Sequence, residues 1–469
     1  MKKITLTLLL ALIGMGSISA APAFRKARYD GFKVLLPKEG SIVMIGNSIT
    51  DMHAWNDVFK DAKGNYLPVV NRGNSGTYST EQMENLESYL FNQPAKVFLM
   101  IGTNDMATSG GLNLTINQLL GNVANIVKRI HKRCPNTEVY LYPILNNTTG
   151  NRVRTTWENY NAKLAEYVVA QRQAGNTWLT FIDFYQDLYA VGKGGAWSYD
   201  SLHPTAASYK IWAHAILPYL GEGVTSVYDE IEGDLTGVQH NGGFGGMVGG
   251  SATQFSVRPI CADDILVFGD DEIKTGEWNE LLGSNHVKNR GAGWDKGGNI
   301  DRVEKMITAT FAKTGARKVC PKACFLYTGT SDCTGSADMA AVKNKYTQLV
   351  EKLRTQAPDA KIYLMALHPV GNVHHNERVV ELNALMQRLA EANAADNLKF
   401  VDTYTDLTEG SKPNANFITG DFLYGRGYVK FAQKMRDALL ADFPTDRYTV
   451  ISDKEAANRV ERANQRNAM

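Results

Sequence analysis

At 469 residues the chain is longer than one ordinary hydrophobic core accommodates, so two domains are expected. Its composition, 44% hydrophobic and 21% charged with no long low-complexity run, is that of a folded protein. Its 50 basic and 48 acidic residues leave a formal charge of +2, and their scatter argues against nucleic acid or an anionic membrane as the main partner.

The chain opens on Lys2 and Lys3, an apolar run "ITLTLLLALIGMG" and the small-residue segment "SISAAPA". That order reads as a secretory signal over residues 1–23, cleaved near Ala20 to Ala23, and it places the mature protein in the periplasm or outside the cell. No cysteine follows the cleavage region to take a lipid, and no later stretch reaches the roughly 18 apolar residues that span a bilayer. Next come strand-like runs "SIVMI", "KVFLMI", "EVYLYPIL" and "WLTFIDF". They alternate with "TEQMENLESYLF", "INQLLGNVANIVKRIHK" and "RTTWENYNAKLAEYVVAQRQ", whose apolar positions recur at helical spacing. Strand–helix alternation predicts a doubly wound parallel sheet with its site beyond the carboxyl ends of the strands. Ser48 after "IVMIG" and Asn104 after "FLMIG" fall at such ends.

The chain then repeats itself. "GNSITDMHAWND" (46–57) pairs with "GDDEIKTGEWNE" (269–280), and "VVNRGNSG" (69–76) with "VKNRGAGW" (287–294). "VFLMIGTND" (97–105) pairs with "CFLYTGTSD" (324–332), "CPNTEVYL" (134–141) with "APDAKIYL" (357–364), and "FIDFYQDL" (181–188) with "FVDTYTDL" (400–407). A period so long means two copies of one domain rather than a solenoid. The expected division is a first domain over 24–222, a Gly-rich connector over 223–258, a second domain over 259–445 and a polar tail over 446–469.

The first copy carries "GNSIT", "NRGNSG", "GTND" and "DSLHP" in order. Together these blocks resemble the SGNH (GDSL-type) hydrolases, serine esterases with a flavodoxin-like three-layer fold. The resemblance implies two tandem α/β/α domains with parallel sheets. It picks out Ser48 as nucleophile, His203 as general base and then acid, and Asp200 as the carboxylate that fixes the imidazole's tautomer. It also implies an oxyanion hole from the backbone N–H groups of Ser48 and Gly76 and the side-chain amide of Asn104. One departure is Asn47, where the family commonly has Asp; the position is adjacent to the serine.

In the second copy every reactive position differs. Asp271 stands for the serine, Trp294 for the glycine and Ser331 for the asparagine; "GDFLYGRGY" (420–428) keeps Asp421 but has no histidine. Gly269, Trp278, Asn289 and Gly329 survive, so the second copy reads as a pseudo-hydrolase that packs against the first or holds a glycan. A rebuilt site is the opposing reading, with His368, His374, His375 and Glu377 of "HPVGNVHHNE" as potential metal ligands on a loop.

Among other candidates, His53 is expected as a partly buried loop residue, His131 on a solvated face and His214 between helix and sheet. Four of the five cysteines (Cys134, Cys261, Cys320, Cys324, Cys333) lie in the second half, where a disulfide would suit an oxidising compartment. Cys320 and Cys324 offer a metal pair without a complete ligand pattern. The expectation is an exported serine esterase that removes short acyl groups, acetyl first, from carbohydrates such as sialic acids, with no cofactor or metal. Its partner is the acylated substrate, with interdomain packing or a homodimer as further contacts. The alternatives are a glycan-binding tandem protein with vestigial catalysis and a lysophospholipase or lipase.

Overall fold

The computed structural model describes residues 20–107, 110–145, 151–191, 198, 200, 202–231, 235, 246–293, 298–312, 319–393, 397–410 and 412–468. The expected signal segment falls outside them up to residue 19.

Two parallel five-stranded sheets are flanked by helices, one in each half. The first contains β1 (Ile42–Gly46), β2 (Val69–Gly73), β3 (Lys96–Met100), β4 (Glu138–Leu141) and β5 (Leu179–Phe181), in the order β2-β1-β3-β4-β5. The second contains β6 (Ile265–Gly269), β7 (Val287–Gly291), β8 (Ala323–Tyr327), β9 (Lys361–Met365) and β10 (Leu398–Val401), in the order β7-β6-β8-β9-β10. Both are the flavodoxin-like 2-1-3-4-5 order, which puts a topological switch point beside the first strand. The central strands are continuous apolar runs because helices cover both faces. "IVMIG" and "ILVFG" are buried at every position.

Alternation along β1 and β3 divides the first lobe's core. Met44 and Phe98 face a cluster containing Trp55, Tyr209 and Trp212, while Val43, Ile45, Val97 and Leu99 face the other side. There the helix Ile116–Arg133 buries Leu119, Val123, Ile126, Val127 and Ile130, the stripe its spacing predicts. Each lead strand ends on a glycine that admits no side chain. A Cβ on Gly46 would lie 2.1 Å from Thr50 Oγ1, and one on Gly269 would lie 2.2 Å from Ile273 Cγ1.

Several expectations are corrected. Within the expected Gly-rich connector, Gly246–Val257 is a helix with Ser251, Thr253 and Gln254 buried. Local backbone entropy favours a flexible chain there, but burial of small side chains outweighs it. In the expected polar tail, Asp453–Asn467 is a helix started by Ser452, which accepts from Glu455 N, with Ala456 and Ala463 buried. The helix Ala20–Val34 packs on both lobes: Tyr29 and Phe32 join the first lobe's core, whereas Val34, with Leu35 just beyond the helix, joins the second's. All five cysteines are free thiols, so the disulfide is not formed.

His53 is wholly buried, stacked on Tyr209 with ring centroids 4.0 Å apart. His131 stacks on Trp178 at the same separation, 4.0 Å, instead of facing water. His214 reaches outward to Asp229 (2.7 Å), because Trp212, Ala213 and Ile216 take the buried stripe of their helix. No helix among the described residues is long and apolar enough to cross a membrane.

Candidate active site

The residues after β1 form one tight turn. Asn47 caps the four-residue helix Ser48–Asp51 by accepting from Ile49 N at 3.0 Å, so Ser48 is the first helical residue. In the second copy Asp270 makes the equivalent bond, accepting from Glu272 N at 3.4 Å. The turn is clamped from below. Trp55 Nε1 donates to Thr50 O at 3.0 Å, and Asn71 Nδ2 donates to Asp51 O at 3.2 Å and His53 O at 3.1 Å. Asn71 Oδ1 in turn accepts from Gly73 N (2.9 Å). "NRG" is thus a scaffold for the serine turn, and Tyr209 adds a bond to Ile49 O at 2.7 Å.

Ser48 Oγ lies 2.9 Å from His203 Nε2, and His203 Nδ1 lies 2.7 Å from Asp200 Oδ2. Asp200 therefore stands behind the imidazole, with His203 between it and the serine. Its other oxygen accepts from the backbone N–H groups of Leu202 (3.0 Å) and His203 (2.8 Å), which fixes the carboxylate within one turn of chain. Burial pushes the Asp200 pKa up, but the hydrogen bond and charge of His203 and the two backbone donors outweigh it and hold the group below its usual value. A carboxylate kept ionised there can orient an imidazole and stabilise its protonated form.

Gly46 is paired with Gly73 on one side and Met100 on the other, so the turns that follow β1, β2 and β3 emerge side by side. Gly76 and Asn104 sit on the second and third of these. Gly76 has φ +75°, a conformation open to glycine. Asn104 Nδ2 donates to Thr77 O at 2.9 Å, which links the two turns. Asp105, the last residue of "GTND", is structural: it accepts from Ser79 N at 3.0 and 3.1 Å. Nothing in the sequence marks Arg25, which lies 51 residues from Gly76 and donates to its carbonyl at 2.8 Å.

The second lobe keeps the scaffold. Trp278 Nε1 donates to Ile273 O at 2.8 Å, and Asn289 Nδ2 to Ile273 O and Gly276 O at 2.7 and 2.8 Å. The reactive positions are occupied otherwise. Asp271 lies 3.5 Å from Arg302, Ser331 N is bound to Asn299 Oδ1, and Trp294 falls outside the described residues. Asp421 offers its backbone oxygen to His368 Nε2 (3.1 Å), whose Nδ1 meets Tyr327 Oη at 2.7 Å. His368 is wholly buried, whereas His374 is exposed on the helix Val373–Ala392 beside Glu377 (3.6 Å). The expected loop is thus a loop at His368 and helical from Val373 on, and its histidines do not converge. Asp271→Ser in a Ser48→Ala background is expected to show no esterase turnover above the Ser48→Ala parent.

Glu272, where the first copy has Ile49, is buried and accepts from Tyr428 Oη at 2.9 Å. Burial, then neighbouring Asp270, raise its pKa well above the usual range, and Asp270 itself is pushed up to about 7 by burial and Asp271. The native state thus keeps a proton that the unfolded chain releases, so this group's stabilisation is present in acid and lost as pH rises. Glu272→Gln, which needs no proton, is expected to gain Tm relative to wild type as pH is raised from about 4 to about 8. A pH-independent Tm difference in thermal melts would contradict this.

Comparison with known proteins agrees with the repeat. The model of the GDSL-like lipase/acylhydrolase family matches twice, over residues 44–211 and 263–423. No curated protein matches the chain. Among solved structures, a GDSL-like lipase from Bacteroides thetaiotaomicron is 23% identical, covering 38% of this chain and 87% of its own, with a TM-score of 0.30. A catalytic mutant of an acetylxylan esterase from Geobacillus stearothermophilus is 19% identical, covering 39% and 95%, TM-score 0.31. A carbohydrate esterase family 3 protein from Talaromyces cellulolyticus is 18% identical, covering 38% and 95%, TM-score 0.31. With the family's pattern matched across both halves, the chain belongs to the GDSL-like lipase/acylhydrolase family and is an ester hydrolase built from two tandem α/β domains.

Proposed function

We propose that the protein is an exported serine esterase that removes short acyl groups, acetyl foremost, from carbohydrate alcohols such as sialic acids. The observation that supports it most is the unbroken series Ser48 Oγ–His203 Nε2–His203 Nδ1–Asp200 Oδ2, with steps of 2.9 and 2.7 Å. In this reading Ser48 attacks the acyl carbonyl while His203 takes its proton. The negative oxygen of the tetrahedral intermediate is received by the N–H groups of Ser48 and Gly76 and the Asn104 amide. His203 then protonates the leaving sugar oxygen, and the acyl-serine is hydrolysed by water that His203 activates. Asp200 keeps the charge that balances the imidazolium.

The preference for short chains rests on the sequence, which contains no apolar lid-like insertion, and the sugar alcohol rests on analogy within the family. Two assays test the substrate class: a p-nitrophenyl ester series of increasing chain length, and acetate release from a panel of acetylated sugars that includes O-acetyl sialic acids. Fastest turnover of the acetyl ester with acetate release from at least one sugar is the expected result. A preference for long acyl chains would favour the lipase reading, and binding without turnover would favour a glycan-binding protein.

A further inference from the structure

The two copies meet through reciprocal pairs. Arg72 of the first lobe donates to both carboxylate oxygens of Glu280 in the second, at 2.7 and 2.8 Å. In the aligned repeat, the counterpart of Arg72 is Arg290 and the counterpart of Glu280 is Asp57. These two also meet, at 3.4 Å. When residue i of one copy contacts j of the other and j contacts i, the interface is isologous, here about a pseudo-two-fold axis within one chain. A residue on such an axis meets its own counterpart. Asp51 and Lys274 are counterparts in the repeat and lie together: Lys274 Nζ is 3.1 Å from Asp51 Oδ1 and 3.2 Å from Asp51 O. Two first-type lobes would set carboxylate against carboxylate at this point, whereas the second copy presents a cation.

Asp51 is also the last residue of the single-turn helix that Ser48 opens. It is fully buried, paired with Arg28 at 2.9 Å and bound by Ser75 Oγ. Arg28, from the N-terminal helix, donates to Gly73 O in one lobe and Thr275 O in the other, both at 2.7 Å, and to Glu277 at 2.7 Å. Two cations and two carboxylates thus balance in a buried cluster beneath the serine turn, and half of them, Lys274 and Glu277, come from the second lobe.

We propose that the second lobe is a built-in partner whose Lys274 is a positioning residue for Ser48: by holding Asp51 it fixes the serine turn so that Oγ stays within reach of His203. The proposal rests on Ser48 being the nucleophile. It accounts for what the second copy retained. Gly269, Trp278 and Asn289 still build the turn Asp271–Thr275, and that turn now carries the lysine.

The test uses the full chain and p-nitrophenyl acetate. Ser48→Ala is measured first, since loss of turnover there establishes the nucleophile independently of Lys274. Lys274→Met is then expected to lower kcat about tenfold or more with KM within about twofold, because a displaced nucleophile costs rate rather than substrate binding. Labelling of Ser48 by a fluorophosphonate should slow in parallel, and Lys274→Arg should recover most of both. If Lys274→Met does not fold, Lys274→Gln, which keeps a donor for Asp51 O without the charge, carries the same expectation. Wild-type kcat in a folded neutral variant, or a loss that falls on KM, would overturn the proposal while leaving the Ser48 reading intact.

Discussion

Ser48→Ala is expected to lower kcat for p-nitrophenyl acetate by about 10⁴- to 10⁶-fold with little change in KM or Tm, and His203→Ala by a similar factor. The size follows from the chemistry. In the proposed mechanism, removing Oγ prevents the acyl-enzyme from forming and leaves water to attack beside the remaining oxyanion donors. The two changes disable one unit, so the double variant should be scarcely slower than either single one. Folding should survive because the turn is held by Asn47, Trp55, Asn71 and Tyr209 rather than by the serine hydroxyl. Steady-state kinetics with thermal melts decide it. A folded Ser48→Ala protein losing less than about a hundredfold would place the nucleophile elsewhere.

Asn104→Ala is expected to cost about 10²- to 10³-fold in kcat, equivalent to about 3–4 kcal/mol of transition-state stabilisation, with KM nearly unchanged. An oxyanion donor earns its effect by being in place before charge develops. Asn104 as the proposed donor is held beforehand: its amide is tied to Thr77 O at 2.9 Å, next to Gly76, and its short helix follows Gly102, whose φ of +131° fits the turn after β3. Asn104→Asp should be at least as slow, since a carboxylate would oppose the negative oxygen. Equal kcat in the alanine variant would remove Asn104 from the hole.

Much of this arrangement is legible in the sequence because it is local or periodic. Continuous apolar runs such as "IVMIG" and "ILVFG" announce buried parallel strands, and reactive residues just past them announce the carboxyl end of a sheet. Asp200 and His203 lie within one turn, so their pairing is a local matter. The Ser48–His203 contact spans 155 residues and came only through the family's motif set.

The missed features have physical causes. Glycines in "GGMVGGSATQF" suggest a loose chain, yet Gly246–Val257 is helical and its Gln254 reaches Met52 O at 3.1 Å. The charged "SDKEAANRVERANQRN" shows too few apolar positions to read as a packed helix, and its alanines are what it buries. His53 carries no mark of burial in its neighbours, since Gln254 and Arg258, which bond its ring, come from the connector. Lys274 looks like an ordinary surface residue until the two copies are set face to face.

On the proposed mechanism, one lobe alone carries a reactive serine. Treating the full chain with a fluorophosphonate and mapping adducts by mass spectrometry tests it most directly. The expected result is one adduct per chain, on the peptide containing Ser48, and none in the Ser48→Ala variant. No adduct on the active wild-type protein, or an adduct on the second lobe, would contradict it.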